Sequence, residues 1–87
     1  MQTYKYVVGT TSTSLLSNIS DQNPRCQTVL VQAPSTNVDK IYFGSKGSEY
    51  HSLIAGDFAG IPVQRLNEMF FIAIDPADEI VVTIFRS

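Results

Sequence analysis

The feature that most constrains the fold of this chain is its richness in β-branched side chains. Val and Ile occur eight times each and Thr seven times, against five Leu. β-Branched side chains have few χ1 rotamers and pack well on a pleated surface, so they favour strands over helices. No window of a dozen residues carries the i, i+3, i+4 apolar stripe of an amphipathic helix, and Ser12–Ser20 is expected to form only one short turn. The sequence therefore predicts an all-β fold.

Turn-forming residues divide the chain into short strands. Ser45–Gly60 is predicted to be a long loop with at most a brief strand around His51–Ile54. The last two strands are predicted to pair as the central hairpin. Short strands at this spacing predict a small antiparallel β-sandwich or jelly-roll-like barrel, formed by a single domain over residues 1–87 with an N-terminal strand or arm at 1–11. The expected strands are Tyr4–Val8, Cys26–Ala33, Ile41–Gly44, an edge strand at Ile61–Val63, Met69–Ile74 and Ile80–Phe85.

The strand that ends at Ile74 is apolar on both of its faces. Alternation places Phe71 and Ala73 on one face and Phe70, Ile72 and Ile74 on the other. One face can pack against the opposite sheet, but the other then needs a second cover. In a chain this short, that second cover is most simply a neighbouring subunit.

Composition excludes several classes of protein. With 44% apolar and 16% charged residues, the chain differs from a disordered segment, which needs low hydrophobicity and high charge. The net charge of −2 and the pI near 5.0 argue against nucleic-acid binding, which normally uses a basic surface. The longest apolar run, Met69–Ile74, is far shorter than the ~20 residues of a membrane-spanning helix, and residues 1–20 lack the pattern of a signal peptide.

The surroundings of the single histidine contain no catalytic or metal-binding pattern. His51 lies near Glu49, Ser52 and Asp57, but the G-x-S-x-G turn of a nucleophilic serine is absent. A zinc site needs three or four ligands, and the chain has one His and one Cys. We therefore expect His51 to be a histidine of a surface loop, and we expect no enzymatic activity, no metal and no cofactor.

The acidic residues and the cysteine also have structural interpretations. A weak cation site at Asp75, Asp78 and Glu79 is an alternative, disfavoured because the regularly spaced oxygen ligands of a calcium loop are absent. Cys26 cannot form an internal disulfide and is expected to be a small buried hydrophobe. Five aspartates lie mostly beside Pro, Gly or Asn and are expected to form turns: Asp21, Asp39, Asp57, Asp75 and Asp78.

The chain carries more Phe and Tyr than a core of this size needs. We expect some of these side chains to contact a partner subunit, because aromatic residues are enriched at protein interfaces. A second interpretation is a stacking platform for a glycan, built from exposed aromatics such as Tyr50 and Phe58. The candidate interface residues are Tyr42, Phe43, Phe58, Phe70, Phe71 and Phe85.

Several short motifs follow one another in a characteristic order. They are SLLS at 14–17, PRCQTVLVQA at 24–33, TN at 36–37, IYFGS at 41–45, IPVQRLNEMFFIA at 61–73 and VVTIF at 81–85. This order resembles a family of small virion proteins of tailed bacteriophages, described as head decoration, capsid cement or minor structural β-sandwich proteins. The resemblance covers roughly residues 12–86. The loop that commonly reads L-x-P-G in that family reads LIAG at 53–56 here.

The resemblance implies a homotrimeric protein on the capsid surface of the virion, made in the host cytoplasm, that clamps adjacent major capsid subunits. Its partners would be further copies of itself and the major capsid protein, with no nucleic acid and no membrane. A small core is often completed by oligomerisation, which agrees with this interpretation. Two alternatives stay open: a head-tail connector or tail component, and a small carbohydrate-binding module.

Overall fold

The computed structural model describes residues 2–19, 25, 27–45, 47–62 and 65–85. Two short 3-10 turns, Leu16–Asn18 and Leu66–Glu68, accompany eight strands. The first of these turns confirms the single short turn predicted for Ser12–Ser20. The strands are β1 (Gln2–Val7), β2 (Thr13–Ser14), β3 (Thr28–Gln32), β4 (Ile41–Ser45), β5 (Ser48–Leu53), β6 (Phe58–Ile61), β7 (Phe70–Ala73) and β8 (Glu79–Phe85).

The strands form two four-stranded antiparallel sheets packed face to face. Sheet A has the order β1-β8-β3-β6, and sheet B has the order β2-β7-β4-β5. Every neighbouring pair in both sheets is antiparallel. The predicted all-β fold, a small antiparallel β-sandwich, is confirmed.

The core lies between the two sheets and follows the period-two alternation of the strands. In β8 the side chains of Ile80, Val82 and Ile84 are completely buried, whereas the residues between them are half-buried. Phe71 of β7 is also completely buried and meets them from the opposite sheet. Because neighbouring residues of a strand point to opposite faces, each strand contributes one row to the core and one row to an outer face.

The predicted hairpin of the last two strands is wrong. β7 pairs with β2 and β4 in sheet B, whereas β8 pairs with β1 and β3 in sheet A. The segment between them crosses from one sheet to the other through a turn in which Ala77 N–H donates to Asp75 Oδ1 (2.9 Å). This arrangement gives each of the two most apolar strands two strand neighbours, and their inward rows cover each other across the core. A hairpin would leave them side by side in one sheet.

The segment predicted as a long loop, Ser45–Gly60, contains β5 and the start of β6. The sequence of β5 lacks the alternation of apolar and polar residues that predicts a strand. This is because β5 is an edge strand whose side chains are largely exposed and polar. Gly47 turns the chain between β4 and β5 with φ +75°, and the register shifts between Phe43 and Ser45. At Gly44 a Cβ would lie 2.5 Å from the carbonyl oxygen of Ser48, so this shift needs glycine.

β6 forms the edge of sheet A, but it begins at Phe58 and ends at Ile61, so it shares only Ile61 with the predicted edge strand. Val63, at the end of the predicted edge strand, lies outside the described residues. Pro62 follows Ile61 directly. The strand ends there because proline has no N–H to continue the ladder.

Candidate interaction surface

The outer face of sheet B is apolar at its centre. Phe70 and Ile72 of β7 are half-buried, and Ile74, just beyond the strand, is 51% exposed. Tyr42 of β4 lies opposite Ile72, and Tyr50 of β5 is 85% exposed at the flank of the same sheet. We call these five residues the apolar face. The alternation predicted for this strand is confirmed, since Phe71 and Ala73 point into the core.

A shallow depression borders the apolar face. It is open to solvent, has a volume of about 350 Å³, and is lined by Val38, Asp39, Lys40, Ile54 and Ala55. Ile54 is 53% exposed and Val38 is 78% exposed, so apolar surface continues beyond the strands. Lys40, directly before β4, supplies a positive charge at this end of the face.

The outer face of sheet A has a different character. Lys5 of β1 pairs with Glu79 of β8 at 3.7 Å, and the hydroxyls of Thr3 and Thr83 are 3.3 Å apart. The large apolar side chains of this face stand beside polar ones in the strand register. Phe58, 70% exposed, lies opposite Gln32, and Phe85, 37% exposed, lies opposite Thr28.

The six predicted interface residues fall into three separate places. Phe71 has no exposed surface and Phe43 is 8% exposed, and their rings are 6.2 Å apart in the core. Expecting these two at an interface was wrong, because their outward neighbours Tyr42, Phe70 and Ile72 occupy the solvent side instead. Two of the six, Tyr42 and Phe70, belong to the apolar face, and the other two, Phe58 and Phe85, lie on sheet A.

The four sheet edges differ in how they are protected. β1 carries Lys5, β6 is followed by Pro62, and β2 is only two residues long. β5 is six residues long and contains neither Lys nor Pro, although the irregular register beside Gly44 interrupts its pairing. Lysine, proline and short length discourage pairing with another chain. β5, which borders the apolar face, has only this irregular register and the charge of Glu49 as protection.

The side chain of Asp78 holds a loop in place by hydrogen bonds, whereas the sequence predicted only that Asp78 forms a turn. Its side chain is 3% exposed, and its two oxygens accept the backbone N–H groups of Val38 and Asp39, both at 2.8 Å. Asn37 adds a reciprocal pair: its amide accepts from Glu79 N–H at 2.9 Å and donates to the Glu79 carbonyl at 2.8 Å. These four hydrogen bonds fix the loop that carries Val38, Asp39 and Lys40 against the start of β8.

The other expected turn aspartates behave more simply. Asp75 closes its own turn, and Asp39 accepts the N–H of Lys40 at 2.8 Å. Asp57 contributes its backbone carbonyl to Ala33 N–H. Asp21 and Cys26 lie outside the described residues. Within the described part of the chain, no three His, Cys, Asp or Glu side chains are grouped so that they could hold a metal ion.

His51 lies on strand β5 and not on the predicted loop. Its side chain is exposed and stacks on Phe43, with ring centroids 5.4 Å apart at 28°. Nearby Glu49 accepts hydrogen bonds from the Ser12 hydroxyl and from Gly47 N–H. The hydrogen bond from Ser12 is the main reason that the pKa of Glu49 is lowered. The hydrogen bonds that the Glu49 carboxylate accepts therefore come from a serine hydroxyl and a backbone N–H, and not from the imidazole of His51.

Tyr6 is an unusual polar group that the sequence did not reveal. It packs against the core from β1, and its hydroxyl is buried without a hydrogen-bond partner among the described residues. Burial raises the pKa of Tyr6. Nothing in the alternation of β1 distinguishes it from Tyr4, two residues earlier on the same face.

Comparisons with family models, with curated proteins and with solved structures find no match. Among the described residues, no helix is long and apolar enough to cross a membrane.

Proposed function

We propose that this chain is a structural protein of a tailed-bacteriophage virion, a capsid decoration or cement protein that self-associates as a trimer and binds the major capsid protein. The observation that carries the proposal is the apolar face of sheet B. Apolar surface of this kind, grouped on one side of a small domain, is typical of protein interaction sites. The function is thus assigned to a surface and not to a catalytic centre.

The fold supports an assembled state. A domain of 87 residues buries a smaller share of its surface than a larger protein does, so it gains proportionally more from contact with a neighbour. The edge strand β5 borders the apolar face, so one partner could be held by strand pairing and by side-chain packing together. The proposal that assembly takes place on a capsid is supported by the resemblance of the ordered motifs to virion proteins.

A connector or tail component would use the same surface in a ring of different symmetry. The carbohydrate-binding alternative receives less support, because its two expected aromatics are separated. Tyr50 belongs to sheet B and Phe58 to sheet A, so they do not form one stacking platform. Tyr50 alone, although 85% exposed, has no aromatic neighbour in the ring contacts of the described residues.

The test is a binding experiment with capsid shells assembled from the major capsid protein of the phage that encodes this chain. We expect the purified protein to cosediment with the shells, to saturate at a copy number comparable with that of the major capsid protein, and to raise their resistance to heat. Saturation at the small number set by one vertex would support the connector alternative. Absence of binding would contradict both virion interpretations, and a glycan array would then test the carbohydrate-binding one.

A further inference from the structure

We propose that the apolar face of sheet B is the surface through which copies of this chain contact one another, with the row Phe70, Ile72 and Ile74 of β7 packed against the same row of neighbouring copies. The inference deepens the self-association included in the proposed function and rests on that part alone. The apolar face is then covered by further copies of the same chain.

The charge pattern is the first argument for a second copy as the occupant. A closed symmetric assembly brings copies of one patch close to each other around its axis. Charged groups of one sign near that axis would meet their own copies and repel, so a self-contacting patch is best neutral. The apolar face itself carries no charge, and Asp39 and Lys40, which are adjacent and of opposite sign, line the depression at its border. Copies can therefore pack at the centre and pair charges at the rim.

The available area is the second argument. A standard interface buries roughly 800 Å² on each partner, and one aromatic side chain can bury about 150–250 Å². Tyr50 is 85% exposed, Ile74 51% and Ile54 53%, and three further apolar side chains of the same sheet are half-buried. Together these side chains can supply a large part of a standard interface without any rearrangement of the sandwich.

The outer face of sheet A provides the contrast. The part of this face formed by β1 and β8 carries the Lys5–Glu79 pair and the Thr3–Thr83 contact, so packing it against itself would bury polar groups that are already satisfied. Its two exposed phenylalanines stand apart, each beside a polar neighbour. The two outer faces of one sandwich therefore provide an internal control for the inference.

The experiment compares matched lysine substitutions on the two faces by analytical ultracentrifugation at micromolar concentration. Ile72→Lys introduces a charge at the centre of the apolar face. Leu30→Lys introduces the same charge on sheet A, at a half-buried outward position of an inner strand. Ile74→Lys, at a more exposed position beyond the end of β7, serves as a second variant should Ile72→Lys fail to fold, which circular dichroism would show.

We expect the wild type and Leu30→Lys to sediment as the same oligomer, and Ile72→Lys and Ile74→Lys to shift to the monomer while folded. A monomeric wild type, equal dissociation by Leu30→Lys, or folded sheet B variants that keep the wild-type mass would each overturn the inference. Wild-type oligomers that fail to bind capsid shells would contradict the proposed function only. A monomer that binds them would contradict this inference and the self-association in the proposed function, but not the binding to the capsid.

Discussion

The two outer faces of the sandwich are built on the same strand geometry but present different chemistry. On sheet A the outward positions carry the Lys5–Glu79 pair and the Thr3–Thr83 contact, with apolar side chains such as Phe58 standing among polar ones. On sheet B the outward row of β7 reads Phe70, Ile72 and Ile74. A strand buried on one side needs only one apolar row. The additional apolar row of β7 is not needed by the core, and the contact between copies that we propose would cover it.

The largest expected effect separates the two rows of β7 itself. Phe71→Ala removes a completely buried ring and should cost about 3–5 kcal/mol of unfolding free energy, because it leaves a cavity between the sheets. Phe70→Ala, one residue away but on the apolar face, should cost much less in the monomer and should weaken self-association instead. Denaturant unfolding and sedimentation of both variants measure the two effects.

Equal losses of stability in Phe71→Ala and Phe70→Ala, with unchanged association, would contradict the assignment of the inner row to the core and of the outer row to self-association. The matched control is Leu30→Ala on the outer face of sheet A, which is also half-buried. It should resemble Phe70→Ala in stability but leave association unchanged.

The next effect concerns the loop beside the apolar face. Asp78→Ala removes the buried carboxylate that accepts two backbone N–H groups, and should cost roughly 2–4 kcal/mol because two hydrogen bonds to a charged acceptor are lost. Asp75→Ala is the control, since its carboxylate accepts one N–H in an exposed turn, and should cost less than about 1 kcal/mol. Urea denaturation at neutral pH measures both. A cost for Asp78→Ala no greater than that of the control would show that the loop is held by other contacts.

A smaller effect of opposite sign is expected on the sheet A side. Tyr6→Phe removes a buried hydroxyl that has no partner in the described part of the chain, and should stabilise the protein by about 1 kcal/mol. Tyr4→Phe, on the same inward face of β1, should change the stability by less than about 0.5 kcal/mol. Thermal unfolding distinguishes them. Destabilisation by Tyr6→Phe would show that its hydroxyl is in fact hydrogen-bonded.

The smallest effect is a pH dependence at the edge of sheet B. The folded pKa of Glu49 lies below its usual 4.5, so its ionised form adds stability above that pH, and this stability is lost as the pH falls through the folded value. Thermal midpoints of the wild type and Glu49→Gln should therefore differ slightly near neutral pH and converge in acid. Ser12→Ala should reduce the difference, because it removes the main hydrogen bond. A difference that grows in acid would reverse the assigned sign.

Much of the fold follows from the sequence because alternation and turn residues act locally. The division of β7 into two rows and the single short turn near Leu16 were predicted from neighbouring residues alone. The partner of each strand was not, because pairing depends on the whole chain. β7 and β8 are joined by a short connection that suits a hairpin, yet their apolar rows are better covered when they face each other across the core.

The candidate surface was predicted in part for the same reason. The row Phe70, Ile72 and Ile74 could be assigned to one face by counting, and its exposure then followed once Phe71 was placed inside. The burial of Phe43 could not be assigned without the register that sets it opposite Phe71. Asp78 looked like one more turn aspartate, because its N–H donors lie about 40 positions away in the chain.

The pairing of β1 with β8 has a consequence for the rate at which the chain folds. The register joins Gln2 to Ile84, and β8 has its other neighbour, β3, about 50 residues earlier in the sequence. The central strand of sheet A therefore cannot find either partner by a local turn, and both searches close long loops of unfolded chain. Such high contact order places small β-sandwiches in the millisecond-to-second range of folding times, far slower than helical bundles of equal length.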